Sequence, residues 1–583
     1  MKTRFIDKKW LVVILVAALI EPLHYFLLIN YPPPGKTFMA YDSDEALVMG
    51  IMRSPEYGFD NPWSPGEKVF FNGALASPYA YIPLGYLRML LGIDALLMNI
   101  IAKFVLFIIF LAVLFKTMEA LMPRNHELAF VFFLLPLGLM TFGYAVYIFT
   151  GIERFAEGFS FEFSILSNIS RVYYYLPLIT GLVSLLLFSK GRKTEAALAL
   201  GATFFFYPFF GFAFAGLLLL YSISGKNGSI SEKAKKSFDE AWKPCLIASA
   251  FLVPWLYARF SHPEYFTLYS QNSLWWRAHL VGIAGSYFFL LLIIFLANTE
   301  LLKKHWKIAG IAGVLSTILM VSELKSLSVP PFNSINLPTL AVDVTEIMLL
   351  SLFAVAWFVL ESNMDRRHKF TLLFALAFFP LSIFNPKYAF WQQYRMGYIL
   401  HIPLAMLAAL YFDSFAAKAK SYNISRNAIF IFLGILAVTS FLAYNYRFQM
   451  ADRIIGQTYF DKADKDAMIF LEKQPKGIVM ASDDTNYFLP VWSGHYALYH
   501  PAESQYQGGG PGRAEKKEVI AEIYSGKATS QGAAEFISKN NVGFVFRRSG
   551  ENINFDSYPY LEKIYDNGAR IYRVNKAMLT SSL

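Results

Sequence analysis

The sequence predicts a polytopic α-helical membrane protein that ends in a small α/β domain outside the bilayer. Three observations carry this. The chain has 583 residues, 56% hydrophobic and 17% aromatic, with only 16% charged, against about 25% in soluble proteins. The charges gather in short segments between long apolar runs and return throughout the last part of the chain. Phe (56) and Tyr (35) are abundant, which suits lipid-facing helices and rings at the membrane interfaces.

The net charge of +10 does not indicate a nucleic-acid partner. Its lysines and arginines sit in short loops between apolar spans rather than on one soluble face. The single cysteine, Cys245, excludes an intramolecular disulfide and a cysteine-based metal site. At the N-terminus, Lys2, Arg4, Lys8 and Lys9 precede an apolar run that continues past Glu21-Pro22 to about Ile29. No small-residue cleavage site follows, so the run reads as an uncleaved first span, with a cleaved signal as the alternative.

Candidate spans cover about 10–30, 94–117, 128–150, 172–189, 195–222, 244–260, 278–298, 308–322, 341–361, 370–384, 396–412 and 427–444. Basic clusters should be cytoplasmic: residues 1–9, Lys190/Arg192/Lys193, Lys226 to Lys243, Lys303/Lys304/Lys307, Arg366/Arg367/Lys369 and Lys418 to Arg426. Lys193 and Lys226 then flank one apolar stretch from the same side. Tyr207-Pro208 interrupts that stretch and Gly211 follows, so two half-helices that enter and return satisfy the charges. A single crossing with a local exception to the charge rule is the alternative. With the hairpin there are about thirteen helical segments, N-terminus inside and C-terminus outside. Residues 1–444 thus form a membrane domain with a long first external loop, 31–93, and residues 445–583 an extracytoplasmic domain. In the latter, strand-like runs (Gly477–Ala481, His495–Tyr499, Val542–Arg547, Ala569–Val574) alternate with helical patterns (Lys462–Lys473, Arg513–Tyr524, Gly532–Lys539).

The first external loop opens on Tyr41-Asp42-Ser43-Asp44-Glu45, directly before a helix-compatible run to Met52. Asp42 or Ser43 can cap that helix. Carboxylates crowded beside a low-dielectric surface can shift in pKa and serve as a general base or as metal ligands. A solvated, capped loop helix is the plainer explanation of the same string.

The order of Asp44-Glu45-Ala-Leu-Val-Met-Gly-Ile-Met, Asn61-Pro62-Trp63 and Ser77-Pro78-Tyr79-Ala80-Tyr81-Ile82-Pro83-Leu84 after an apolar first span resembles the GT-C fold glycosyltransferases. These polyprenyl-phosphate-sugar-dependent enzymes include protein O-mannosyltransferases and lipid A aminoarabinose transferases. The resemblance implies an acid of the Asp-Glu pair as general base, a polyprenyl-phosphate sugar donor and an extracytoplasmic acceptor. Ala76-Ser77-Pro78 stands where the family has a Lys-Pro-Pro-like segment, a departure at its donor contacts. The Trp-Trp-Asp-Tyr-Gly signature of oligosaccharyltransferase catalytic subunits is absent; Leu274-Trp275-Trp276-Arg277 is not its equivalent. Transfer of a whole oligosaccharide to asparagine is therefore disfavoured. The family's breadth suggests a prokaryotic plasma membrane.

On this reading Asp44 is the candidate base, with Asp42 as substitute and Glu45 beside them. An inverting displacement needs one such base. For the donor phosphate the candidates are Arg395 and Lys387, basic residues on the nominally non-basic outer face, and Arg171 before a run of tyrosines. Interfacial snorkelling is the alternative for these cations. Glu153 and Glu162 in the second outer loop suit an amphipathic helix on the membrane or contacts to an acceptor or a divalent cation such as Mg or Mn. Asp483 and Asp484 follow a predicted strand and are further candidate acceptor contacts. A transporter or flippase of lipid-linked sugars and a non-catalytic glycan-binding relative are the competing functions.

Overall fold

The computed structural model describes residues 6–40, 43–68, 78–135, 172–225, 229–261, 287–304, 355–356, 359–360, 362, 364–383, 393–436, 438, 458–482, 484–499 and 513–582. These are mostly helical. Among the described residues three helices are long and apolar enough to cross a membrane: Lys8–Asn30, Ala95–Leu121 and Ile399–Ser421. Four shorter apolar helices span Tyr174–Ser189, Pro208–Ser224, Phe288–Ala297 and Arg426–Leu436. The expected spans at 308–322 and, in the main, 128–150 and 341–361 lie outside the described residues. The chain divides into two compact units. One comprises Met1–Ala18, Leu106–Val253 and Ser270–Arg447; the other comprises Leu19–Val105, Pro254–Tyr269 and Phe448–Leu583.

In the first unit, the stretch after Lys193 is two helices, Lys193–Phe206 and Pro208–Ser224. Tyr207 between them is extended (φ −155°, ψ 97°), because a residue before proline is pushed out of the helical region. Pro208 then starts the second helix, where its missing N–H costs nothing. The chain returns on itself. Glu240 Oε1 lies 3.3 Å from Lys193 Nζ at the start of the first helix, and its Oε2 accepts from Ser222 Oγ (2.6 Å) near the end of the second. In one straight helix Lys193 and Ser222 would be about 44 Å apart.

Small residues allow the helices here to approach: a Cβ on Gly181 would meet Phe214 at 2.3 Å, and one on Gly201 would meet Phe251 at 2.4 Å. Other basic segments gather at the same place. Arg366 Nη2 donates to Tyr221 O (3.2 Å) and Lys233 Nζ to Leu360 O (2.9 Å). Helix Ile230–Ser249 is N-capped by Ser229, whose Oγ accepts from Glu232 N.

Among its described residues the second unit holds three sheets. Strand β1 (Lys36–Phe38) pairs antiparallel with β4 (Tyr459–Asp461), and β2 (Asp60–Asn61) pairs with β3 (Ser64–Lys68). The largest sheet has five strands in the order β6 (Tyr496–Ala497), β5 (Ile478–Met480), β7 (Val542–Arg547), β9 (Arg570–Val574), β8 (Leu561–Asp566). Strands β6, β5 and β7 run parallel, joined through helices, while β9 is antiparallel to both β7 and β8. The β8–β9 hairpin turns at Asn567-Gly568, where Gly568 takes φ +105°, the asparagine–glycine signature of tight hairpins. Helices Arg513–Tyr524 and Ser530–Lys539 cover the sheet, burying Ile520, Ile523, Ala534 and Ile537 with Met480, Val545 and Tyr572.

Candidate functional site

The acidic string leads into helix Ser43–Met52, with Asp44 as its second residue and Glu45 as its third. Glu45 is buried, and its Oε1 accepts from Asn99 Nδ2 (2.6 Å), from Lys103 Nζ (2.6 Å) and from the Tyr25 hydroxyl. Lys103 Nζ also donates to Tyr25 Oη and lies 4.9 Å from the centroid of the Tyr25 ring. Lys103 and Asn99 come from helix Ala95–Leu121, long and apolar enough to cross a membrane, and Tyr25 from helix Ile20–Asn30. The carboxylate therefore joins the start of the loop helix to two apolar helices through charge-assisted bonds. A lysine inside a span such as 94–117 is itself a signal of function or of a buried partner. It is the feature by which Lys103 is legible in sequence.

Either side of this helix is tied to the C-terminal part of the chain. Before it, Lys36 Nζ pairs with Asp461 Oδ1 (2.9 Å), Met39 N donates to Thr458 O (2.9 Å), and Lys465 Nζ donates to Phe38 O (2.9 Å). After it, Arg53 Nη1 donates to Val491 O (2.7 Å), while its Nη2 pairs with Glu472 Oε1 (2.8 Å) and Glu56 Oε2 (2.9 Å). Arg88 also pairs with Glu56, and burial lowers the Arg88 pKa to about 10. Gly494, at φ +65°, passes so close to Arg53 that a Cβ there would lie 2.6 Å from Nη2. Trp63 packs on the helix itself: a Cβ on Gly50 would stand 2.3 Å from its Cη2, and its Nε1 donates to Asn486 O (2.8 Å).

Lys465 is the cation that these contacts bring to the strand leading into the acidic string. Its Nζ lies 3.8 Å from the Trp492 ring centroid. Burial lowers its pKa to about 8, opposed by the charges of Asp94 and Asp466. Nothing in the local sequence marks it, because the contact joins residues far apart in the chain.

Asp484 lies exposed at the start of helix Thr485–Trp492, which packs against helix Ser43–Met52. Asp44, Glu45 and Asp484 thus fall in one unit, and Arg395, in helix Gln393–Ser421, in the other. Asp42, Arg171, Lys387, Glu153, Glu162 and Asp483 lie outside the described residues. Among the described residues no three His, Cys, Asp or Glu side chains gather as metal ligands.

No protein-family model matches the sequence, and no curated protein matches it by sequence. Among solved structures the chain is similar to the arabinofuranosyltransferase AftD from Mycobacteria, at 12% identity and TM-score 0.48, over 98% of this chain and 40% of that one. It is also similar to the Archaeoglobus fulgidus oligosaccharyltransferase complexed with Zn and sulfate, at 10% identity and TM-score 0.46, over 92% of this chain and 67% of that one. Both are GT-C fold glycosyltransferases. The chain spans well under half the length of AftD.

Proposed function

We propose that the protein is a membrane glycosyltransferase of the GT-C type, transferring a sugar from a polyprenyl-phosphate donor to an extracytoplasmic acceptor with inversion. Asp44 is the general base and Asp42 its substitute. Asp44 takes the proton of the acceptor hydroxyl, the hydroxyl oxygen bonds to the anomeric carbon, and the bond from that carbon to phosphate breaks. The electron pair leaves with the polyprenyl phosphate, whose charge needs cations such as Arg395 or Lys387.

The observation that carries this reading is the fixing of helix Ser43–Met52. Consecutive helical residues are about 100° apart around the axis, so anchoring Glu45 to Lys103 sets the rotation at which the helix presents Asp44. Base catalysis needs such orientation before it needs a tuned pKa. Glu45, tied to three donors, is on this reading a positioning residue, leaving Asp44 and Asp42 for proton transfer. The domain around the five-stranded sheet supplies the frame of the acceptor side, with Asp484 a candidate contact. Mg or Mn with the carboxylates of the outer loops is part of the proposal only as a dependence to be measured.

The test is sugar transfer from a lipid-phosphate donor in membranes carrying wild type, Asp44→Asn or Asp42→Asn, with and without a chelator. Loss of transfer in Asp44→Asn at normal expression supports the assignment. Full transfer in both variants overturns it, and movement of lipid-linked sugar across the bilayer without transfer identifies a flippase instead.

A further inference from the structure

A groove of about 460 Å³ lies in the first unit between helices Pro208–Ser224 and Ile230–Ser249. Leu219, Leu220, Ile223 and Phe238 make its walls apolar, and Lys235 and Ser237 line it as well. Helix Ile230–Ser249 has two apolar stripes. Ser237, Ala241 and Ala248 are buried in the protein, whereas Phe238, Trp242 and Leu246 repeat every fourth residue with 60%, 37% and 61% exposure. Phe238 of the second stripe lines the groove, and Lys243 Nζ lies 5.8 Å from the centroid of the Trp242 ring. The stripe's polar neighbours are Lys235, Lys236 and Lys243, the pattern of a helix lying at a membrane interface.

Charge and a polar orphan select the occupant. Lys235 and Lys236 are exposed and form no ion pair among the described residues, whereas Glu240 is engaged by Lys193 and Ser222. Asp239 and Glu232 are the remaining acids on the helix, both exposed. Ser237 is 2% exposed, and its Oγ has no hydrogen-bond partner among the described residues, an arrangement that calls for an acceptor or donor from a ligand. An apolar slot beside a buried hydroxyl, with free lysines at one edge, matches an acyl chain, its ester and an anionic headgroup.

We propose that this groove binds one anionic phospholipid, with an acyl chain along Leu219, Leu220 and Phe238, an ester oxygen at Ser237 and the phosphate at Lys235 and Lys236. The site is independent of the transferase reading and touches none of its residues.

The test is native mass spectrometry of the full chain released from nanodiscs, with phosphatidylglycerol, phosphatidylcholine or a polyprenyl phosphate as probe. Wild type is expected to keep one phosphatidylglycerol adduct and to lose phosphatidylcholine at the same activation energy. Ala234→Trp, at an exposed position lining the groove, fills the slot and should abolish the adduct. Lys235→Glu/Lys236→Glu should weaken it at least tenfold, and this exposed pair gives the answer if the tryptophan variant fails to fold. Equal retention of phosphatidylcholine, an adduct unchanged in the variants, or retention of polyprenyl phosphate alone would each overturn the proposal.

Discussion

Lys103 Nζ sits 2.6 Å from Glu45 Oε1, and both side chains are almost wholly withdrawn from solvent. Taking one partner from such a pair strands the other charge, a loss of about 3–5 kcal/mol, whereas an apolar replacement of both is often neutral. Lys103→Met should therefore lower the thermal midpoint of the detergent-solubilised protein strongly. Lys103→Met/Glu45→Leu should recover most of that stability. If the protein is the glycosyltransferase proposed above, transfer stays low in the double variant, because the anchor that sets the rotation of helix Ser43–Met52 is gone. A fully active double variant would refute the positioning role of Glu45.

Gly50 offers a steric prediction. Its missing Cβ leaves room for the Trp63 ring, which would otherwise stand 2.3 Å away. Gly50→Ala should cost about 1–3 kcal/mol through overpacking. Trp63→Phe should cost about 1 kcal/mol from the lost bond to Asn486 O, on top of lost packing. Trp63→Phe/Gly50→Ala should be less damaging than the sum, measured by thermal unfolding.

His495 makes the second unit acid-sensitive. Its Nδ1 accepts from Gly477 N (3.3 Å), so Nε2 carries the proton donated to Leu471 O (2.8 Å). Burial, first among the causes, holds its pKa below the ordinary 6.5. The unfolded chain then binds the proton first as pH falls, so stability is full above about pH 6.5 and declines below it. His495→Gln should flatten this decline in tryptophan-fluorescence melts. An unchanged pH slope would show that other groups dominate.

Lys465 should be unusually reactive. With its pKa lowered to about 8, its amine is half neutral near that pH, where ordinary lysines remain protonated. Acylation followed by peptide mass spectrometry should show half-maximal labelling of Lys465 near pH 8. Trp492→Ala should raise this midpoint by exposing the amine to water. The same shift means that stability from this group rises between about pH 8 and 10.5.

The hairpin at Tyr207 predicts one-sided labelling. In a Cys245→Ala background, Lys193→Cys and Lys236→Cys should both react with an impermeant maleimide from the same face of sealed vesicles. Labelling from opposite faces would be incompatible with the return at Tyr207.

Much of this was legible in sequence for stated reasons. Apolar length marks the helices Lys8–Asn30 and Ala95–Leu121, and matched lysines around Tyr207-Pro208 favour a return over a single crossing, because proline disfavours helix before it and the charge bias favours one side for both ends. Strand Val542–Arg547 and helix Arg513–Tyr524 follow from local pattern. The asparagine–glycine pair at Asn567-Gly568 is an equally local signal for β8. Helix Thr485–Trp492 is harder to read, since Pro490 lies within it.

The sequence by itself determined the apolar helical character of the chain and the acidic string at Asp42–Glu45, because each depends on composition or on neighbours along the chain, whereas the tertiary structure decided for the return at Tyr207 over a single crossing. Only the tertiary structure decided that Glu45 is spent on Lys103, Asn99 and Tyr25. It also decided that the acidic loop is clamped by residues from Thr458 onward. Such pairings join positions up to 438 residues apart, and a buried charge takes its partner from whichever element the fold packs against it.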